Sequence, residues 1–314
     1  MTEILTITVN PALDLSTEAP AVIPDQKLRC SAPIVHPGGG GVNVSRAIAN
    51  LGGQSHTLIA FGGATGGELV RLLREEGLTP ESLGVNHPTR QSTSVLDHAT
   101  GLQYRFMMPG PPWSAADCAV AREAVVSAVK PGALVVPSGS LPPGMPEDFF
   151  LDLAPEVRAR GGRIILDTSG PALESAAAHP GDLYVLRMDL AEAREVSGKS
   201  LVDVSEIAEL AHDLRNKTGA PVIMIAAGAQ GTVIDCAEWR GLTRPPVVVP
   251  RSKVGAGDSF IGAFALSLTR GDDPVTACAW GTAAAASAVT TEGTELCSRA
   301  ETERFFSQVT FMEL

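Results

Sequence analysis

Positive charge is in short supply. The chain carries 24 Lys and Arg against 35 Asp and Glu, a net charge of −11, and so acidic a surface repels phosphate backbones, which excludes a general nucleic-acid binder. There is also no run of about 18 uncharged apolar residues of the kind that crosses a membrane. The alanine-rich stretch from Thr276 to Val289 is too short and too weakly hydrophobic. The N-terminus opens with an apolar run carrying Glu3 and lacks the basic start and small-residue cleavage site of a signal peptide. Cysteines are few: residues 30, 118, 236, 278 and 297, odd in number and without paired spacing. They are expected to be buried thiols of a cytoplasmic protein. Aromatic residues make up only 4% of the 314 positions, whereas glycine reaches 32, a balance that points to tight turns and close backbone approaches. No internal repeat or low-complexity linker divides the chain. What is plentiful is apolar material, 44%, enough for a real core and too much for disorder.

The order of patterns predicts a fold. EILTITVN is a β-type run that stops at Asn10-Pro11, and GGGGVNVSRAIANLGG then places Val42, Val44, Ala47, Ile48 and Leu51 at helical spacing. Strand and helix patterns alternate afterwards: HTLIAFGG, GGELVRLLREEG, ALVVPSGS, EDFFLDLAPEVRARGG, RIILDTSG, LYVLRMD, two helical stretches, then PVIMIAAG. This rhythm predicts an α/β protein, one domain over residues 1–314, with a doubly wound, mostly parallel sheet flanked by helices. Segments of about 11–37 and 90–108 lack helical signal and are expected to pair in a small accessory sheet. Ligands of such sheets sit beyond the carboxyl ends of the strands, which directs attention to loops built from glycines and a few carboxylates.

Two of those loops carry chemistry. In VGAGDSF, residues 254–260, Gly255, Ala256 and Gly257 enter a helical run. The exposed N–H groups and the helix dipole suit an oxyanion there. Asp258 is either an ordinary first-turn carboxylate or a general base beside that anion hole, and the local pattern leaves both readings open. In PGGGGVNVSRA, Asn43 is either a polar residue behind a tight turn or an amide that holds substrate hydroxyls brought close by glycine.

With VNPALD at its start, these two glycine-rich helix entries make the chain resemble the ribokinase-like (PfkB) carbohydrate kinases from end to end. PALD, KLRC, TRQS, QYRFMMPG, SGSLPPG and GTELCS are most similar to the branch of bacterial 6-phosphofructokinases. The resemblance implies a large α/β domain with a small β lid, ATP with Mg²⁺ as donor, a sugar phosphate as acceptor, and homodimers joined through the lids. It also implies a potassium ion near the VGAGD loop. By the same resemblance Asp258 takes the proton of the acceptor hydroxyl while the Gly255, Ala256 and Gly257 backbone stabilises the transferring phosphoryl group. Asp14 and Asn43, with Gly39 and Gly40, correspond to sugar-hydroxyl contacts. Lys27, Arg29, Arg90, Arg105 and Ser140 correspond to the pocket for the acceptor's own phosphate, where fixed cations suit a dianion.

The nucleotide side departs from the family pattern. Where the family carries Lys-Pro-Asn-x-x-Glu, the chain reads RMDLAE: Arg187 replaces lysine, Asp189 replaces asparagine, and Glu192 is kept. Ala226 stands at a Ser or Thr position and Lys253 at a threonine position, while Gly228 and Gly231 are retained. Arg187, Asp189, Ala226, Gly228, Gly231 and Lys253 are the implied nucleotide contacts, with Glu192 and Asp189 toward the metal. AREVSGKS, residues 193–200, meets a loose P-loop pattern, but helical residues occupy its first half and Gly198 is its one glycine. No complete G-x-G-x-x-G occurs. The six histidines (36, 56, 87, 98, 179 and 212) show no metal-ligand spacing and are expected at the surface or in loops. Expected, then, is a kinase acting on fructose 6-phosphate. The alternatives are fructose 1-phosphate or tagatose 6-phosphate as acceptor, or a sugar-phosphate-binding protein that has lost its donor chemistry.

Overall fold

The computed structural model describes residues 3–291, 293 and 295–314. Strand β1 (Ile4–Thr8) is buried at every position, as an apolar strand covered on both faces must be. After β2 (Ala12–Ala19) and β3 (Ile34–Gly38) comes helix α1 (Gly40–Asn50), whose Val42, Val44, Ala47 and Ile48 turn inward. The chain continues through β4 (His56–Ile59), α2 (Gly63–Glu75), β5 (Glu81–Ser82), β6 (Arg90–Asp97), β7 (Gln103–Met107) and α3 (Ala115–Ala128). Next are β8 (Leu134–Pro137), α4 (Phe149–Ala159), β9 (Arg163–Asp167), α5 (Pro171–Ala178), β10 (Leu183–Asp189), α6 (Leu190–Ser197), α7 (Val204–Thr218) and β11 (Val222–Ala226). The last elements are β12 (Thr232–Asp235), β13 (Arg240–Arg244), α8 (Ala256–Thr269), α9 (Pro274–Val289), α10 (Arg299–Phe306) and β14 (Thr310–Glu313).

Ten strands form the main sheet in the order β14-β13-β12-β11-β10-β9-β8-β1-β4-β5. The seven from β11 to β5 are parallel, while β12, β13 and β14 run antiparallel along one edge. The antiparallel edge extends the expected parallel sheet: β11, β12 and β13 follow one another through short connections, as antiparallel neighbours can, and β14 adds to that edge after the last three helices. Two large apolar clusters cover the sheet, one containing Phe149, Phe150 and Leu153, the other Ile48, Phe260 and Phe264. The strand order reverses at β1, between β4 and β8, and a crevice beyond the strand ends at such a switch point is where ligands bind.

The small sheet has the order β3-β2-β6-β7, drawn from the two segments that lacked helical signal. The register pairs Ala12 with Gly38 and with Arg90, so both of its returns arrive beside the end of β1. Two expectations need correction. Cys30 is exposed on the connection from β2 to β3, while the other four cysteines are buried. His36, His56 and His212 lie half-buried on β3, β4 and α7 rather than in surface loops. His56 faces Glu81 at 3.0 Å and His212 faces the buried Asp235 at 3.2 Å, so carboxylates account for their place inside. The P-loop lookalike is the end of α6, where Gly198 closes the helix in the left-handed region. Among the described residues no helix is long and apolar enough to cross a membrane.

Candidate active site

The site is assembled where β1, β8, β9 and β10 end against the starts of α1 and α8. Gly40, at the start of α1, lies against the turn after β8: a Cβ there would fall 2.4 Å from Ser138 Oγ and 2.6 Å from the Gly139 nitrogen. Only glycine permits that approach. The Gly41 nitrogen donates to the Ser138 carbonyl at 3.1 Å, which ties α1 to β8. Gly39 is the N-cap residue of α1 and has no side chain to satisfy the first helical N–H groups. Asn10, at the end of β1, donates to Ser140 Oγ at 3.2 Å and so holds the second serine of that turn.

Helix α8 begins in the same crevice. Its N-cap residue Gly255 adopts φ 74°, a left-handed conformation that glycine takes without strain. The N–H groups of Ala256, Gly257 and Asp258 follow at the positive end of the helix with no carbonyl of their own helix to bind. Asp258 sits in this first turn, and Asn43 Nδ2 donates to its Oδ2 at 2.9 Å. Burial raises the Asp258 pKa to about 7, reinforced by the negative charge of Asp167, while Asn43, Arg187 and Arg46 pull it down. The two glycine-rich motifs, more than 200 residues apart, therefore meet through one hydrogen bond.

The sugar-side candidates fall into two groups. Asp14 on β2 has a raised pKa from burial, opposed by Arg90, Arg105 and Arg46. Arg90, at the start of β6, donates to the carbonyls of Asn10 (3.4 Å) and Met108 (3.0 Å), which fixes its guanidinium beside that carboxylate. Arg105 lies opposite Ser94 on β7 and is exposed. Lys27 and Arg29 lie in the exposed connection between β2 and β3, and neither has an ion pair among the described residues.

On the nucleotide side, Arg187 turns inward from β10. Its side chain is 12% exposed, its Nη1 donates to Asp167 Oδ1 at 2.9 Å, and a Cβ on Gly257 would meet Nη1 at 3.0 Å. Burial works against this cation, but the Asp167 carboxylate, with the charges of Glu192 and Asp189, raises the pKa overall. Asp167 also accepts from Ser138 Oγ at 3.0 Å, so one buried carboxylate braces the turn after β8 and the guanidinium under the α8 start. Asp189 and Glu192 form a capping box on α6: the Glu192 nitrogen donates to Asp189 Oδ1 at 2.9 Å, and the Asp189 nitrogen donates to Glu192 Oε2 at 2.7 Å. Burial raises the Glu192 pKa to about 7, and the charges of Asp189 and Asp167 add to that rise. These are hard oxygen donors, but among the described residues no cluster of three or more His, Cys, Asp or Glu could hold a metal ion. Ala226 ends β11, Gly228 opens the one-turn helix after it, and Gly231 adopts φ 119° against the Thr243 carbonyl. Lys253 is exposed two residues before Gly255.

Three participants escaped the sequence reading. Ser138 lies in SGSLPPG and Asp167 in RIILDTSG, but neither stretch singles the residue out for a role. Arg46 stands three residues after Asn43, a spacing that puts both on one helix face.

A model described as pfkB family carbohydrate kinase matches residues 8–301. The ATP-dependent 6-phosphofructokinase isozyme 2 of Mycobacterium tuberculosis is 37% identical over 96% of this chain and 88% of its own length. The Escherichia coli protein of the same name is 36% identical over 98% and 99%. A Xanthomonas campestris 1-phosphofructokinase is 30% identical over 84% and 83%. The E. coli phosphofructokinase-2 structure in complex with fructose-6-phosphate superposes with a TM-score of 0.89 over 98% of this chain and 99% of that one. Other structures of that enzyme contain potassium or show a tetrameric inhibited form.

Proposed function

The chain belongs to the pfkB family of carbohydrate kinases, and on that premise we propose that it transfers the terminal phosphoryl group of ATP to the C1 hydroxyl of fructose 6-phosphate. The observation that carries this reading is the hydrogen bond between Asn43 and Asp258 at the free N-terminus of α8. It places a carboxylate beside unpaired backbone donors, the combination that phosphoryl transfer to a hydroxyl needs. Asp258 takes the hydroxyl proton as the C1 oxygen attacks. With a pKa of about 7 it holds that proton at a modest cost near neutrality. The backbone of Gly255, Ala256 and Gly257 faces the charge that develops on the transferring group.

Arg90 and Arg105, already turned toward Asp14, hold the 6-phosphate, with Lys27, Arg29 and Ser140 completing the pocket as the small sheet closes. Asp14 and Asn43 orient the sugar hydroxyls over Gly39 and Gly40. Closure of the sheet as a lid excludes water, the competing acceptor. Arg187, Asp189, Ala226, Gly228, Gly231 and Lys253 line the donor side, with the first acting from beneath the α8 loop. Mg²⁺, when bound with ATP, neutralises phosphate charge. Glu192, half-buried and without an ion pair among the described residues, and Asp189 offer the hard oxygens that suit it, alongside water and phosphate. The E. coli relative motivates a test for potassium, by exchanging K⁺ for tetramethylammonium. The lid face presents Ile34, Tyr104 and Phe106 to solvent, which supports a homodimer formed through the lids. Four buried, unpaired thiols agree with a reducing cytoplasm.

ADP release measured in parallel with fructose 6-phosphate, fructose 1-phosphate and tagatose 6-phosphate tests the assignment. The highest kcat/KM is expected with the first. A larger value with either of the others reassigns the acceptor. Tight sugar-phosphate binding without ADP release from any of them would make the chain a binding protein.

A further inference from the structure

The amide of Asn43 has two faces and both are occupied. Its Nδ2 donates to Asp258 at 2.9 Å, and its Oδ1 accepts from Arg46 Nη1 at 3.3 Å. The chemistry of the neighbours fixes that orientation, because a guanidinium only donates and an ionised carboxylate only accepts. A flipped amide would set its NH₂ against the guanidinium and its oxygen against Asp258.

Arg46 is itself held from behind. Its Nε donates to Glu76 Oε2 at 2.6 Å and its Nη2 to Glu76 Oε1 at 2.8 Å, a bidentate pair. Its Nη1 also donates to the Pro37 carbonyl on β3 at 3.3 Å. The Arg46 side chain is 11% exposed. One guanidinium thus joins α1, the end of α2 and the strand returning from the small sheet, and its last free direction points at Asn43.

Resting on the reading of Asp258 as the base, we propose that Arg46, clamped by Glu76, is a positioning residue that fixes the amide of Asn43 and through it the hydrogen bond on the base. The charged groups around Asp258 come from three elements: Asp167 on β9, Arg187 on β10 and Arg46 on α1. Arg46 in turn faces Asp14 on β2 and His36 on β3, besides Glu76. Removing Arg46 therefore takes away an opposite charge and frees the amide to rotate, and both changes make ionised Asp258 harder to maintain. An ordinary ion pair between two helices would affect stability and leave the base alone.

Two readouts test this: the pH dependence of kcat/KM, and the titration of the Asp258 carboxyl followed by carbon-13 NMR, assigned with Asp258→Asn. In Arg46→Ala the carboxyl titration and the acidic limb of the rate profile should both move upward by roughly half a pH unit or more. Turnover should fall about tenfold, as loss of an outer hydrogen-bond partner commonly does, with KM for ATP unchanged. Arg46→Lys should keep the titration near its original place but not restore full turnover, since one ammonium cannot hold Glu76 and Asn43 in a fork. Arg46→Gln, which loses the charge but keeps a donor able to reach Glu76, carries the test if Arg46→Ala does not fold, and should give the same two effects at smaller size. An Asp258 titration that stays put in the folded variants overturns the proposal. A shifted titration combined with near-normal turnover of Asp258→Asn leaves the positioning intact and overturns only the role of Asp258 as base.

Discussion

Asp258 is held at the start of α8 in a state that costs the fold. Its folded pKa of about 7 lies above the ordinary value of 3.8, so ionisation is harder in the folded protein than in the unfolded chain. The sign follows: whatever stability the neutral carboxyl contributes is complete below the unfolded pKa and is lost as pH rises through 7. Asp258→Asn removes the titration, so its advantage in thermal stability over the parent should grow between about pH 4 and pH 7 and then level off. A constant gap in Tm across that range, read by differential scanning calorimetry, would contradict the raised pKa. The same variant should lose about three orders of magnitude in kcat if it removes a general base, with sugar-phosphate binding nearly unchanged by titration calorimetry. Arg90→Ala should instead raise KM for the sugar phosphate through loss of a charge-assisted contact worth about 2 kcal/mol, leaving KM for ATP alone. A selective ATP defect would show that the pocket is assigned backwards. Asp258 and Asn43 were legible because each sits in a glycine-bearing helix start. Arg46, Ser138 and Asp167 were not, because the contacts that hold them, Arg46 to Glu76 and Ser138 to Asp167, span 30 and 29 residues.

At the level of elements, α6 shows how one pair of side chains serves two ends. Asp189 and Glu192 close the helix N-terminus on each other, so the family's asparagine at position 189 would cap nearly as well. Asp189→Asn is therefore expected to change stability little, whereas Asp189→Ala should cost about 1 kcal/mol. Asp189→Asn should also need more free Mg²⁺ for half-maximal rate, measured by varying total Mg²⁺ at fixed ATP. Stronger ATP binding with an unchanged Mg²⁺ requirement would show that Asp189 only repels the donor. The alternating helices and strands were readable because apolar periodicity switches cleanly from one element to the next. The edge formed by β12, β13 and β14 was not, since no helical stretch separates β12 from β13 and β14 returns to the sheet only after three helices. Helix α3 escaped for another reason: its alanines and valines are spread round the helix and leave no sharp stripe.

For the whole molecule, the two lid segments were recognisable by what they lacked, and their pairing into one sheet follows from β2 and β6 lying parallel. The solvent-facing apolar side chains of that sheet predict association: Phe106→Asp should shift sedimentation toward the monomer and raise KM for the sugar phosphate, as the closed lid loses its support. Unaltered sedimentation would place the interface elsewhere. The topology also bears on how the chain is made. Strand β1 is made long before β8 and ends in the middle of the sheet, yet its neighbour β8 begins only at Leu134. At roughly 5–20 residues per second, the ribosome leaves one edge of a central strand that ends up wholly buried open for several seconds. The nascent chain therefore depends on protection during that interval, and a polypeptide released before β8 would expose the part of the molecule most prone to pair with another copy of itself.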